Sequence, residues 1–384
     1  MKILITSDTY VPMVNGVVTS ILNLKEQLEN LGHEVRVLAL SPDFTSKFEN
    51  GVYYIRSFSL NIYPGVRAAN PRTHCFMDEI IAWKPDIIHT QCEFFTMHFA
   101  QKIAKELQIP IVHTYHTMYD HYADYLIPGR RDKTAIVSKV LQRVLKNLDT
   151  IIAPTQKAKL SLENYHIPSP IVVIPTGINL SRFQQTLSEE EREHLKNRLH
   201  IPQGKHILVT VGRLGKEKNV EEILQFLSRL KREDWVFLII GDGPYKPELE
   251  EMTKQLNLQN NVIFAGMVPA ENTWKYYQLG DLFVSASISE TQGLTYVEAL
   301  ASGIPLVCRK DSCLEGVLEP GYNGFWYTEE AEFSEEIQKI LDAENRELFA
   351  AQARESSQKF SKENFGLAVE HLYQDLLKTH YLGE

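Results

Sequence analysis

Short β-rich runs alternate with helix-length segments along this chain, and that alternation restricts its fold more than any other feature. Strands separated by helices pair in parallel, with the helices layered on the sheet faces. In the first half the expected strands are Lys2–Thr6, Glu34–Leu40, Asp86–His89, Pro110–Thr114, Thr150–Pro154 and Ile171–Pro175. A helix over Ser20–Leu31 fits between the first two, with Gly32 as its stop. A polar, charged stretch, Ser181–Gly204, interrupts the series. A second series follows it: His206–Val211, Val236–Ile240, Val262–Ala265, Asp281–Ser285 and Pro305–Cys308. The closing segment Ser361–Lys378 reads as an amphipathic helix with Ser361 as its N-cap. A chain of 384 residues can bury two domain cores and is long for one. The expected class is therefore α/β, with two Rossmann-like domains over residues 1–175 and 205–360, a linker over 176–204, and a terminal helix within 361–384.

Composition narrows the function. Hydrophobic residues at 43% and charged residues at 23% fit a soluble globular protein. Apolar runs such as Val236–Ile240 are far too short to span a bilayer. The opening MKILITSDTY has no signal-peptide core and reads as the first buried strand of a cytoplasmic protein. Cys75, Cys92, Cys308 and Cys313 make no metal-type pairs and are expected as reduced thiols. The net charge of −9 is uneven: residues 1–170 hold 18 Lys+Arg against 16 Asp+Glu, and the remainder 22 against 33. An acidic second half argues against general nucleic-acid binding and for one face with a special partner.

The stretch Ser287–Val307 places Glu290 and Glu298 eight residues apart around Gly293-Leu294-Thr295. On one continuous helix the two carboxylates would point roughly 80° apart. Glu290 therefore belongs on a strand-to-helix loop, and Glu298 on the first turns of the helix after it. Both acids then border the carboxyl end of a parallel strand, where open α/β sheets bind ligands. The amides near Gly293 form a helix N-terminus suited to a phosphate. A second loop, Gly212-Arg213-Leu214-Gly215-Lys216-Glu217-Lys218-Asn219, follows the first strand of the second series. There Arg213 offers a bidentate grip on a phosphate and Lys218 a point charge. Gly241-Asp242-Gly243-Pro244 reads mainly as a turn. No Asp-x-Asp triad is present to hold a divalent ion, so no metal is expected. A dehydrogenase is disfavoured, because no Gly-x-Gly-x-x-Gly follows the first strand.

Together these motifs resemble the family 4 glycosyltransferases, retaining enzymes of the GT-B fold that use nucleotide sugars. Glu290 and Glu298 match that family's Glu-x7-Glu signature, and Gly212-Arg213 with Lys218 match its Gly-Arg-x4-Lys diphosphate clamp. The resemblance implies two Rossmann-like domains facing a central cleft, with the last helix crossing back to the first. It implies UDP-glucose as donor substrate and no bound cofactor. Arg213 and Lys218 would then meet the diphosphate, Glu290 the sugar hydroxyls and Glu298 the ribose. Gly293, Leu294 and Thr295 would supply the helix N-terminus, and the backbone at Val268 would read the nucleobase. His116, in the stretch His113-Thr114-Tyr115-His116-Thr117, aligns with a histidine that contacts the transferred sugar near its 6-hydroxyl. His113, nearer the strand interior, keeps a structural reading. Gly16, between the first strand and its helix, would let the backbone approach a diphosphate or an acceptor.

The acceptor is sought in Gly129–Asp149. Ile136, Val140, Val144 and Leu148 recur every four residues, flanked by Val137, Leu141 and Leu145. Arg130, Arg131, Lys133, Lys139, Arg143 and Lys146 against Asp132 make residues 129–147 net +5. A basic amphipathic helix of this kind can lie on an anionic membrane surface, here through residues 119–149 and the bulky loop Tyr119–Pro128. The motif ETQGLTYVEA and the runs SDTYVPMVNGVV and HTYHTMYDHYADY resemble the bacterial diacylglycerol glucosyltransferases of the family. That branch implies glucose transfer to the 3-hydroxyl of 1,2-diacylglycerol by a protein peripheral on the cytoplasmic face of the cell membrane. Galactosyl transfer, a second glucosyl transfer, or a soluble acceptor such as an inositol phosphate or a growing polysaccharide stay open, as does the oligomeric state. A non-enzymatic nucleotide binder is disfavoured by the intact set Glu290, Glu298, Arg213, Lys218 and His116.

Overall fold

The computed structural model describes residues 1–60, 67–70, 76–119, 133–341 and 343–382. The chain divides into two compact units, Met1–Gly177 with Lys362–Glu384, and Ile178–Ser361.

The first unit is built on an eight-stranded sheet. Its strands are β1 (Lys2–Ser7), β2 (Glu34–Leu40), β3 (Lys47–Glu49), β4 (Val52–Ile55), β7 (Ile87–Thr90), β8 (Ile111–Thr114), β9 (Thr150–Ala153) and β10 (Ile171–Val173). They lie in the order β10-β9-β8-β7-β1-β2-β4-β3. All pairings are parallel except that of the edge strand β3 with β4. A separate antiparallel pair joins β5 (Phe58–Ser59) to β6 (Arg67–Ala68). Because side chains alternate along a strand, β1 feeds two cores at once. Leu4 packs on one face with helices Phe95–Leu107 and Lys133–Val144. Ile3 and Ile5 pack on the other with helix Gly16–Asn30 and the final helix Lys362–Leu382. That final helix contributes the buried Phe365, Val369 and Tyr373. Tyr373 also reaches through the core to His89 Nδ1 at 2.6 Å, and Lys362 pairs with Glu26 at 2.5 Å.

The second unit has a six-stranded, wholly parallel sheet. Its strands are β11 (His206–Val211), β12 (Trp235–Ile240), β13 (Val262–Gly266), β14 (Leu282–Ser285), β15 (Leu306–Arg309) and β16 (Gly324–Tyr327). Their order is β13-β12-β11-β14-β15-β16. It reverses between β11 and β14, the position at which open α/β sheets bind ligands beyond their carboxyl ends.

Two expectations need correction. Residues 178–204 are not a linker: they belong to the second unit, where helices Leu180–Phe183 and Glu189–Arg198 and the residues flanking the second helix bury Leu180, Phe183, Leu187, Leu195 and Ile201 in its core. The charged surface of this stretch is the outer face of a helix opened by a Ser188/Glu191 capping box. The apolar face of Ile136, Val140 and Val144, expected to dock on lipid, is only partly free, and the buried ridge of helix Lys133–Val144 is Val137 and Leu141, continued by Leu145 and Leu148. Val144 is half-buried against the same core, and of the expected lipid-facing three only Val140, at 48%, is exposed. Arg130, Arg131 and the loop residues 120–128 lie outside the described residues, which hold no helix long and apolar enough to cross a membrane.

Candidate functional site

In the second unit the predicted groups collect at the carboxyl ends of β11, β12, β13 and β14. The β11 and β12 loops lock together first. Leu214 N donates to Asp242 O at 2.9 Å, and Tyr245 N donates to Leu214 O at 2.9 Å. A Cβ at Gly241 would stand 1.9 Å from the carbonyl oxygen of Gly212, so the glycine is required for the two backbones to pass this closely. The Gly-x-Gly turn therefore shapes the loop that carries Arg213 and Lys218.

Lys218 lies at the end of a 3-10 turn, Lys216–Lys218, and its Nζ reaches Glu290 Oε1 at 2.5 Å. Ser287 Oγ donates to the same oxygen at 2.9 Å. Glu290 sits on the β14-to-helix loop, as its spacing from Glu298 demands. Arg213 Nη1 stands 3.9 Å from Glu217 Oε1, whose side chain is 7% exposed. Among the described residues, then, each of the two expected phosphate-binding cations faces a carboxylate.

Helix Leu294–Ala301 follows, with Gly293 as a left-handed N-cap at φ 73°. A Cβ there would lie 2.4 Å from the Tyr296 ring, so both backbone sign and space select glycine. Leu294 and Thr295 open the helix and are half-buried. Glu298, one turn further, accepts from Tyr277 Oη at 2.9 Å. Burial pushes its carboxyl up to about 7, against the lowering effects of that hydrogen bond and of the Arg182 charge. Val268 follows β13 with its side chain in the core, leaving its backbone as the group able to serve a ligand. Arg182 and Tyr277 were not anticipated. Arg182 was hidden because its segment read as a linker, and Tyr277 because a lone tyrosine in a short helix carries no pattern.

The first unit presents a different cluster, at the ends of β1, β7 and β8. Gln91 Oε1 accepts from His116 Nε2 at 2.8 Å, which sets the protonated nitrogen of the ring. Burial pushes His116 down to about 4, only partly offset by Glu93, so the ring is neutral near pH 7. Beside it the buried Glu93 accepts from Tyr119 Oη at 2.7 Å and stands 3.3 Å from His113 Nε2. His113 also meets Thr90 Oγ1 at 2.8 Å and is fully buried, in keeping with a structural part. Tyr119 is corrected here: expected in a membrane-facing loop, it is a buried hydrogen-bond donor to Glu93. Asp8 caps helix Phe95–Leu107 through the amides of Phe95 and Thr96, and burial raises its carboxyl to about 6. Gly16 is the first residue of its helix, capped by Asn15 Oδ1 accepting from Val18 N at 2.9 Å. Its contribution is the missing side chain at an exposed helix start. Asp8, Gln91 and Glu93 escaped the sequence reading, since strand order alone brings them together.

No group of three or more His, Cys, Asp or Glu side chains suited to a metal occurs among the described residues. A parallel sheet with its switch point beside an Arg/Lys pair, two carboxylates and a glycine-capped helix is an arrangement suited to a nucleotide-dependent transferase. Comparison with known proteins agrees. The model for glycosyl transferases group 1 matches residues 191–360, and that for Glycosyltransferase Family 4 matches residues 14–182. The alpha-monoglucosyldiacylglycerol synthase of Streptococcus pneumoniae is 35% identical over 381 residues, covering 98% of this chain and 86% of its own. Its namesake from Acholeplasma laidlawii is 32% identical over 394 residues, covering 98% of each. The crystal structure of HepE from Anabaena in complex with UDP-glucose matches with a TM-score of 0.77 at 16% identity, covering 98% of this chain and 100% of that one. The chain belongs to the family 4 glycosyltransferases.

Proposed function

We propose that this chain transfers glucose from UDP-glucose to the 3-hydroxyl of 1,2-diacylglycerol with retention, giving alpha-monoglucosyldiacylglycerol. The observation that carries the reading is identity above 30% along essentially the whole chain to two synthases of that name. The site supplies the chemistry such a transfer needs. Breaking the anomeric carbon–oxygen bond leaves an additional negative charge on UDP, and fixed cations that meet developing charge stabilise the transition state. Arg213 and Lys218 take that part, with the amides at the start of helix Leu294–Ala301 as neutral donors. Glu290, already paired with Lys218, accepts hydrogen bonds from sugar hydroxyls while the lysine meets the phosphate. Glu298 takes the ribose and the Val268 backbone the base. His116, neutral and oriented by Gln91, meets the transferred sugar near its 6-hydroxyl. The two cations do the work a divalent ion does elsewhere, so the transfer runs without metal.

A diacylglycerol acceptor is presented at a lipid surface. The exposed side of helix Lys133–Val144 carries Lys139 and Arg143 around Val140, with Lys146 just beyond. This basic face supports reversible docking of a peripheral protein on the anionic cytoplasmic leaflet. The test is transfer from UDP-glucose and from UDP-galactose to diacylglycerol and to monoglucosyldiacylglycerol in anionic micelles, with EDTA present. A glucosyl product on diacylglycerol is expected. Transfer only to a soluble acceptor, or abolition by EDTA with rescue by Mn²⁺, refutes the reading.

A further inference from the structure

The residue after Lys218 has an unusual backbone conformation. Asn219 is left-handed, at φ 51° and ψ 37°, and forms the joint between the Lys216–Lys218 turn and helix Val220–Leu227. Asparagine tolerates this backbone better than most residues, but not as freely as glycine. Its side chain is tied down: Nδ2 donates to Glu222 Oε2 at 3.0 Å. The other oxygen of Glu222 accepts from Arg309 Nη1 at 2.7 Å and from Tyr327 Oη at 3.1 Å. Arg309 ends β15 and Tyr327 ends β16, so the carboxylate ties the joint to the two strands beyond β14 in the sheet. A glutamate at this point of a helix commonly reaches back to the N-cap backbone amide. Glu222 instead takes the N-cap side chain and two donors from the strands. Its side chain is 17% exposed and that of Arg309 32%, so the pair is shielded enough to be structurally selective.

We propose that Glu222, held by Arg309 and Tyr327, is a positioning residue that maintains the left-handed turn at Asn219 and so aims Lys218 at the donor diphosphate. The proposal rests on the reading that Lys218 meets the diphosphate. It concerns a residue that touches no substrate.

The test measures UDP affinity by calorimetry on the full chain, with a thermal melt on each variant. Glu222→Ala should weaken UDP binding roughly tenfold, and Asn219→Ala should do much the same. Because both act through one turn, the double variant should be little worse than either alone, whereas independent effects would multiply. Glu222→Gln, which keeps an acceptor for part of the network, should recover most of the affinity. If Glu222→Ala does not fold, Tyr327→Phe removes one donor from the same carboxylate and should weaken UDP two- to threefold, a small but measurable shift. A lowered melting temperature with parental UDP affinity in Glu222→Ala, while Lys218→Ala binds poorly, overturns the positioning role and leaves the clamp standing. Multiplying effects in the double variant also overturn it. Parental affinity in Lys218→Ala overturns the clamp itself, and with it the premise of the proposal.

Discussion

The two units carry two kinds of polar cluster. In the second unit the groups are charged, partly exposed and mounted on loops: Lys218 with Glu290, Arg213 with Glu217. In the first unit they are buried at strand ends and held by hydrogen bonds: Gln91 with His116, Glu93 with Tyr119 and His113. Burial also acts on their protons, pushing His116 down to about 4, Asp8 up to about 6 and the Cys92 thiol up to about 12. On the proposed function, the contrast separates two tasks. Neutralising a leaving diphosphate calls for charge that stays charged, which solvent-facing loops allow. Orienting a sugar hydroxyl calls for donors and acceptors in fixed tautomers, which a buried network provides. The first unit's cluster should therefore be coupled to stability, and the second unit's mainly to turnover.

Removing a clamp cation gives the largest effect. Arg213→Ala should cost roughly 2–4 kcal/mol of transition-state stabilisation, lowering transfer at least about a hundredfold with an unchanged circular dichroism spectrum. Near-parental turnover would take Arg213 out of the site. The opposite balance is expected in the first unit. Glu93→Ala leaves His113 and Tyr119 without their buried acceptor, and should cost about 1–3 kcal/mol of unfolding free energy for each donor left unsatisfied. Glu290→Ala, which breaks a partly exposed pair, should cost under about 1 kcal/mol. Equal losses of stability in denaturant titrations would erase the distinction between the clusters.

A smaller effect follows from Glu298, the one second-unit acid here whose proton is held by burial. Its carboxyl titrates near 7 in the folded protein against an ordinary value of 4.5. The raised value means that the folded state favours the protonated form. Its contribution to stability is thus full below about 4.5 and is lost as pH rises through about 7. If Glu298 takes the ribose as proposed, the ribose hydroxyls donate to the ionised form, and UDP affinity should fall below pH 7 by up to about tenfold per unit. Glu298→Gln should bind more weakly and lose this carboxyl's share of the pH slope, keeping only that of the UDP terminal phosphate, whose second pKa is about 6. His116 is already neutral over this range and should add no acid limb. A parental pH slope in Glu298→Gln would sink this assignment. The smallest expected change is at the surface: Lys139→Gln and Arg143→Gln should each weaken co-sedimentation with anionic vesicles by about 1 kcal/mol. Hydrolysis of UDP-glucose without membranes should be spared, and unaltered vesicle binding would leave this face merely solvated.

Legibility in the sequence follows the same divide. The glycines and cations of Gly212–Lys218 and the spacing of Glu290 and Glu298 are local patterns, and each lies on the loop or helix turn its spacing requires. Gln91, Glu93 and Asp8 form no local pattern, because their meeting depends on the strand order β8-β7-β1. Other misses had readable signals. Asn50-Gly51, both residues at positive φ, turns β3 into β4, and Ser188 with Glu191 announces the helix in the supposed linker. The basic helix was ambiguous in kind. Ile136-Val140-Val144 and Val137-Leu141-Leu145 are equally periodic ridges one residue apart, and only packing selects the second. The expectation of an α/β chain in two Rossmann-like halves rested on strand alternation, a long-range regularity that single residues do not upset.

The final helix sets the order in which the protein can be completed. Phe365, Val369 and Tyr373 cover one face of the first unit's sheet together with the Gly16–Asn30 helix. They leave the ribosome only after all of Ile178–Ser361 has been made. At about 5–20 residues per second, the first unit waits many seconds with Ile3, Ile5 and the Gly16–Asn30 helix only partly covered and with His89 lacking its tyrosine partner. The second unit, continuous in sequence, needs no later segment to close its core. The first of the two units to be synthesised is therefore the last to be finished.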